Sequence, residues 1–325
     1  DAFGNETLVR EDPDGLGCVN PLPLVARECP AIVPPMADTA PWQFVDPETA
    51  NRGNLGADQV ATLNIQDVYQ GISEHVKRGE AKHLAVMEQV QKSRVMAGGE
   101  DWGHTPIIGR GTVHARRLIG LVPIEEDGSA HFTVPALRSI SFNVLDRDGR
   151  ALMRMGSDMH VMPGERQSCI GCHEVRETQG MAPPSASGRV ATALRKPPVK
   201  PRMPDWGTNG LIDYTRVIQP VWDRHCIRCH EGPLAEGQVN MTGDKTRFFC
   251  QSYDHLIERE IVDHLNVFGL GHDENTPKTV GAYASRIDEF LDEGHCESQL
   301  TPEERLAVYV WIDANVPYYG SFDYT

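Results

Sequence analysis

No run of apolar residues reaches the roughly 18 that a membrane-spanning helix needs, so nothing in the sequence reads as a membrane span. An excess of positive charge is missing too. Lys and Arg number 31 against 46 Asp and Glu, a formal net charge of −15, which disfavours nucleic acid and anionic membrane surfaces and favours cationic partners. A secretory leader is not visible, and the chain begins at Asp1 without a methionine, so it reads as a mature or trimmed product. Internal repeats are absent, apart from one short pattern that occurs twice.

That pattern is C-x-x-C-H, in "SCIGCHEVRE" (168–177) and "RHCIRCHEGP" (224–233). Two thioether links to one porphyrin need sulfurs about one helical turn apart, and a histidine directly after the second cysteine then faces the iron; the pattern is that of c-type haem attachment. Zinc is the rival. Paired zinc knuckles usually lie about 15–20 residues apart; these two copies are much farther apart, and each carries a histidine that an all-cysteine site does not need. The sequence therefore predicts two covalently bound c-type haems. The first is attached by Cys169 and Cys172 with His173 as iron ligand, the second by Cys226 and Cys229 with His230.

The sixth ligands are less defined. For the second haem they are His255, His264, His272, His295 and Met241. His295 is preferred because it follows a helix that Gly294 ends and adjoins Cys296. For the first haem, Met155, Met159, His160 and Met162 are close in sequence, and His104, His114 and His131 are further off. If none reaches the iron, that haem is open to small molecules, with Glu177 and His160 as candidate catalytic groups; Glu177 has the chemistry of a proton donor. Covalent haem attachment takes place outside the bacterial cytoplasm, which predicts a periplasmic or other extracytoplasmic location. Thiols there tend to oxidise. The four remaining cysteines allow three pairings, and proximity favours Cys18–Cys29 with Cys250–Cys296.

Organisation follows from composition and period. Residues 1–58, rich in Pro, Gly, Asp and Asn, read as an extended arm. From 59 to 182 the period is two: Ala61, Leu63 and Ile65, then Phe132 and Val134, then Ile140, Phe142 and Val144. "EEDGSAHF" and "LDRDGRAL" set Asp-Gly between apolar stretches, a hairpin signal. Residues 67–93 fit strand or helix. Residues 183–209 form a Pro-bearing linker with Arg195, Lys196, Lys200 and Arg202. From 210 to 325 the period is helical. Ile218, Val221 and Trp222 precede the second motif, and Ile287, Phe290 and Leu291 precede Gly294. Thr301, Pro302 and Glu304 spell a capping box ahead of the apolar Leu306, Val310 and Trp311. The predicted class is α+β: a β-rich domain bearing the first haem at its end, then a small all-α cytochrome c-like domain bearing the second.

"LIGLVPIEEDGSAHFTVPA", "LDRDGRALMRM", "VMPGERQSCIGCHEVR", "IDYTRVIQPVWDRHCIRCH" and "EGHCESQLTPEERLAVYVWIDANVPYYG" together resemble the C-terminal part of the hydrazine synthase alpha subunit and its relatives. "DAFGNETLVREDPD" looks like the stretch that follows a β-propeller in those longer proteins. The resemblance implies a middle domain whose single c-type haem has unusual coordination and is a proposed reaction site. It also implies a last domain whose bis-histidine haem passes electrons, with His295 at the distal position. In the family a tyrosine four residues after the first motif histidine binds that iron, and the histidine is turned to zinc. This sequence departs there, with Glu177, which leaves His173 to ligate its own haem. Two main functions follow. One is an exported dihaem cytochrome that relays electrons to redox partner proteins, among them other subunits of a complex. The other is a redox enzyme with an open first haem, of hydrazine synthase-like type acting on a small nitrogen compound, or a dihaem peroxidase. A module serving neighbouring subunits is a third.

Overall fold

Alternating side chains build the first sheet. In β1 (Val60–Ile65) Ala61, Leu63 and Ile65 are buried, and in β4 (Ala130–Pro135) so are Ala130, Phe132 and Val134. The two pair antiparallel, from Val60 opposite Pro135 to Ile65 opposite Ala130. β7 (Arg166–Cys169) lies parallel to the other edge of β1, with Ile65 opposite Cys169, so the first motif begins at the end of an edge strand. The computed structural model describes residues 59–90, 109, 115–172, 190–207, 210–232, 234–263, 276–292, 295 and 299–320. The arm expected over 1–58, with Cys18 and Cys29, lies outside the described residues, as do His104, His114, His173, Glu177, His264, His272 and Cys296.

The second sheet has the order β3 (Arg116–Pro123), β2 (His83–Gln89), β5 (Ile140–Leu145), β6 (Ala151–Arg154) and is antiparallel throughout. Leu84 and Val86 of β2 pack with Leu63, Ile65, Phe132 and Val134 of the first sheet. Ala85 and Met87 point the other way, into a cluster with Trp222, Tyr253 and Trp311. A strand covered on both faces reads as a continuous apolar run, which is why "HLAVMEQ" gives no clean period. In β5 the alternation read from the sequence also gives way: Ser141 and Asn143 are as buried as Ile140 and Val144. The layers are thus sheet, sheet and helices.

The two Asp-Gly signals part company. "LDRDGRAL" is the β5–β6 hairpin, with Asp146 Oδ1 accepting from the backbone N–H groups of Asp148, Gly149 and Arg150, each at 2.9 Å. Gly149 has φ of 97°, and a Cβ there would press into Leu306 at 2.5 Å. "EEDGSAHF" makes a turn, Gly128 N–H to Glu125 O at 2.8 Å, but β3 and β4 belong to different sheets, so it carries the chain between layers. Residues 190–207 run along both sheets. Val199 exchanges backbone bonds with His131 and Thr133 of β4, and Arg202 with Leu121 of β3. They cover edges that would otherwise offer unpaired ladders.

The separate all-α cytochrome c-like domain expected over 210–325 does not form. A π-helical turn (Tyr214–Ile218) runs into α1 (Gln219–His225), followed by α2 (Gln251–Glu258), α3 (Asp288–Leu291) and α4 (Pro302–Asp313). These short helices share one core with Ala85, Met87, Leu118, Leu145 and Ala151 of the second sheet, and Asp46–Thr325 clusters as one unit. α4 shows why. Its capping box is in place, Glu304 N–H to Thr301 Oγ1 at 3.2 Å and Thr301 N–H to Glu304 Oε2 at 2.8 Å. Yet every residue from Ala307 to Asp313 is buried. The C-terminal end of α4 meets the sheet: Arg116 N–H donates to Ala314 O at 3.3 Å, Ala151 N–H to Asp313 at 3.0 Å, and Arg154 to Asn315. A helix expected to close a small bundle is instead a pillar between layers. Among the described residues no helix is long and apolar enough to cross a membrane.

Candidate functional site

The second motif hangs from α1. Pro220 near the start of α1 suits a first turn, where a missing N–H costs nothing, and Val221 and Trp222 are buried against the core. Beyond His225 the chain continues in tight turns, with Cys229 and His230 N–H groups both donating to Cys226 O, at 3.2 and 3.1 Å. These turns bring Cys226, Cys229 and His230 to one cavity of about 540 Å³. That volume lies inside the roughly 300–1,000 Å³ range of cofactor sites. Trp222, Leu256, Ile261, Ile287, Phe290, Leu291 and Leu300 give it apolar walls.

Two imidazoles face each other across this space. The ring centres of His230 and His295 lie 5.9 Å apart, with their planes only 19° from parallel. With imidazole–metal bonds of about 2.0–2.1 Å, two rings on opposite sides of one ion have centres roughly 6 Å apart. His230 Nδ1 is 3.0 Å from Val239 O, and a carbonyl can only accept, so Nδ1 carries the hydrogen and Nε2 is left bare for a metal. Phe290 meets the His295 ring edge-on at 5.2 Å and 77°. The residues present fit a c-type haem: the two cysteines and the histidine of a C-x-x-C-H motif, a second imidazole and apolar walls. Arg259 and Arg286 also line the cavity and can meet the carboxylates of such a group. The other sixth-ligand candidates are placed differently. Met241 lines the cavity and its N–H donates to His230 O at 2.8 Å, whereas His255 Nδ1 accepts from Asn240 N–H at 2.9 Å. Among the described residues no three His, Cys, Asp or Glu side chains converge as a zinc site would require.

The rim of the cavity carries charge. His225 lines the cavity and lies 3.2 Å from both oxygens of Glu304, which also accepts from Arg224 at 2.7 Å. Burial alone would raise the Glu304 pKa. The Thr301 N–H, Arg224 and His225 outweigh it and hold the carboxyl at about 2. Only the capping-box spelling marked Glu304 in advance. Val239 contributes through a backbone oxygen, and no side-chain pattern reports that.

The first motif is built otherwise. It leaves the end of β7 as a turn rather than a helix: Gln66 N–H donates to Cys169 O at 2.9 Å and Asp67 N–H to Ile170 O at 3.1 Å. Gly171 lies so close to Gln70 that a Cβ would overlap it. Cys169 and Cys172 are half-buried against the apolar cluster between the two sheets, and Met155 and Met159 pack on the same cluster. His160 is exposed, Met162 half-buried, and His131 Nδ1 lies 3.1 Å from Lys196 O. Cys250 is a buried free thiol, 3.3 Å from Ser252 Oγ. The bridge expected from it to Cys296 involves a residue outside the described ones; the Cys250 sulfur lies inside the core, just before α2.

Residues 79–174 match the family model described as the hydrazine synthase alpha subunit middle domain. Among solved structures the chain is similar to Kuenenia stuttgartiensis hydrazine synthase, with a TM-score of 0.54 and 18% identity over 80% of this chain and 43% of that one. At that identity the likeness is one of fold, and the chain spans less than half the length of the solved chain it matches. No curated protein matches.

Proposed function

We propose that this hydrazine synthase alpha-like chain is an exported dihaem c-type protein whose second haem, on Cys226, Cys229, His230 and His295, moves electrons. The observation that carries the reading is the pair of facing imidazoles 5.9 Å apart in an apolar cavity with both cysteines of a C-x-x-C-H motif on its wall. A haem held there supplies a one-electron carrier. The chain's own residues do the rest. The bond from Nδ1–H to Val239 O leaves Nε2 of His230 as the nitrogen that would bind the iron. Were His230 and His295 both to hold the iron, no position on it would be left open to small molecules. Trp222, Leu256 and Ile287 exclude water, which keeps solvent reorganisation small when the charge changes.

The first motif supports a second reading, redox chemistry on a small nitrogen compound. The matched middle domain, 79–174, takes in Cys169, Cys172 and His173. Partners are then cationic redox proteins and other subunits, in line with the acidic charge of −15 and with a family described as a subunit. Intact-mass measurement of protein produced in a cytochrome c-maturing host tests the proposal. Two haem additions are expected, and one in Cys226→Ser/Cys229→Ser. A mass equal to the bare chain contradicts it.

A further inference from the structure

His295 hangs four residues beyond α3, itself only four residues long, and so short a helix does not hold itself together in water. Leu291 packs into the core, and polar contacts hold α3 at both ends. At its first residue, Asp288 Oδ2 accepts from Arg150 Nη1 at 2.7 Å and Oδ1 accepts from the Tyr309 hydroxyl at 2.5 Å. At its far end Arg305 donates to Leu291 O and pairs with Asp292 at 3.3 Å. Arg150 comes from the β5–β6 turn, and it is braced in turn by Asp146 Oδ2 at 3.0 Å and by the Tyr283 ring at 4.5 Å. Arg305 and Tyr309 come from α4. The Arg150 and Asp288 side chains are only 26% and 24% exposed, so water screens their attraction incompletely.

We propose that Arg150, Tyr309 and Arg305 are positioning residues for the second haem: they clamp α3 at both ends and so keep His295 opposite His230. This rests on the bis-histidine reading above. It gives a turn of the second sheet a part in setting iron coordination in the helical layer. Phe290 sits on α3 with its ring against His295, so any drift of α3 moves the wall of the ligand with it.

The test uses the full haem-loaded chain with Tyr309→Phe, Arg150→Gln and Arg150→Lys. Cyanide can bind the second haem only when His295 is off the iron, so its binding rate to the oxidised protein reads how firmly the ligand is held. Loss of one charge-assisted bond to Asp288 should raise that rate about ten- to hundredfold in Tyr309→Phe and in Arg150→Gln. Arg150→Lys, which keeps a cation there, should recover most of the difference. A merely structural role would lower the melting temperature and leave the cyanide rate unchanged. If the wild-type protein shows no low-spin haem on Cys226 and Cys229, the reading beneath has failed. If it does, and the variants bind cyanide at the wild-type rate, the clamp is wrong. Should Arg150→Gln fail to fold, Tyr309→Phe, which removes a single oxygen, decides alone.

Discussion

Asp313 allows a quantitative test of how the helical layer is joined to the sheet. Asp313 is 1% exposed, and it accepts backbone N–H groups from Ala151 on β6 and from Ala282 in a 3-10 turn (Gly281–Tyr283), each at 3.0 Å. Replacing it by alanine strands two buried donors, at about 1–3 kcal/mol each, so Asp313→Ala should lose about 4 kcal/mol near pH 4. The pH dependence is the sharper part. Burial pushes the Asp313 pKa up to about 6 from 3.8, against the pull of Arg154 and the two N–H groups. Between those values the folded protein holds a proton that the unfolded chain has released. Stability from this group is therefore complete below pH 3.8 and is lost as the pH rises through 6, by up to about 3 kcal/mol. The gap between wild type and Asp313→Ala in denaturant unfolding should narrow by that amount from pH 4 to pH 7. Asp313→Asn, which cannot ionise, should not show the wild-type decline. A gap that widens with pH would mean that Arg154, not burial, governs the carboxylate, and a gap near zero at pH 4 would mean that the two N–H groups do not depend on it.

Two further outcomes follow from local geometry. Glu304 is held at about 2 by the Thr301 N–H, Arg224 and His225 against the effect of burial, so its stabilising part is present above pH 4.5 and lost as pH falls toward 2. Glu304→Gln should cost about 1 kcal/mol at pH 7 and flatten that acid limb in a melting-temperature series. Gly171→Ala puts a methyl group into Gln70, so the haem-to-protein ratio should fall toward one while the second site stays filled. A ratio of two with unchanged stability would show that the turn has room.

Much of this architecture can be read from residue order, and the remainder fails for identifiable reasons. Ala61, Leu63 and Ile65 announce β1 because one of its faces is buried and the other is not. The Thr301–Glu304 capping box announces α4 because capping is local, decided by four consecutive residues. The layer order is not local. Leu306, Val310 and Trp311 describe one apolar stripe, but the end of α4 is bonded to the sheet through Asp313 and the two residues after it, Ala314 and Asn315, and the helix alone does not tell this from a bundle. At the site the pattern C-x-x-C-H singles out Cys226, Cys229 and His230, and Gly294 next to His295 drew attention to the facing ring. The contribution of Val239 was hidden because its backbone oxygen, not its side chain, touches His230. Arg150 was hidden because its partner Asp288 lies 138 residues away.

Magnetic resonance of the oxidised protein reads whether His230 and His295 would hold one iron between them. A low-spin signal of bis-imidazole type is expected in the wild type and should disappear in His295→Ala, where the second haem should become high-spin and bind carbon monoxide when reduced. A spectrum unchanged by His295→Ala, or a purified protein that is colourless or carries zinc at Cys226 and Cys229, would contradict it.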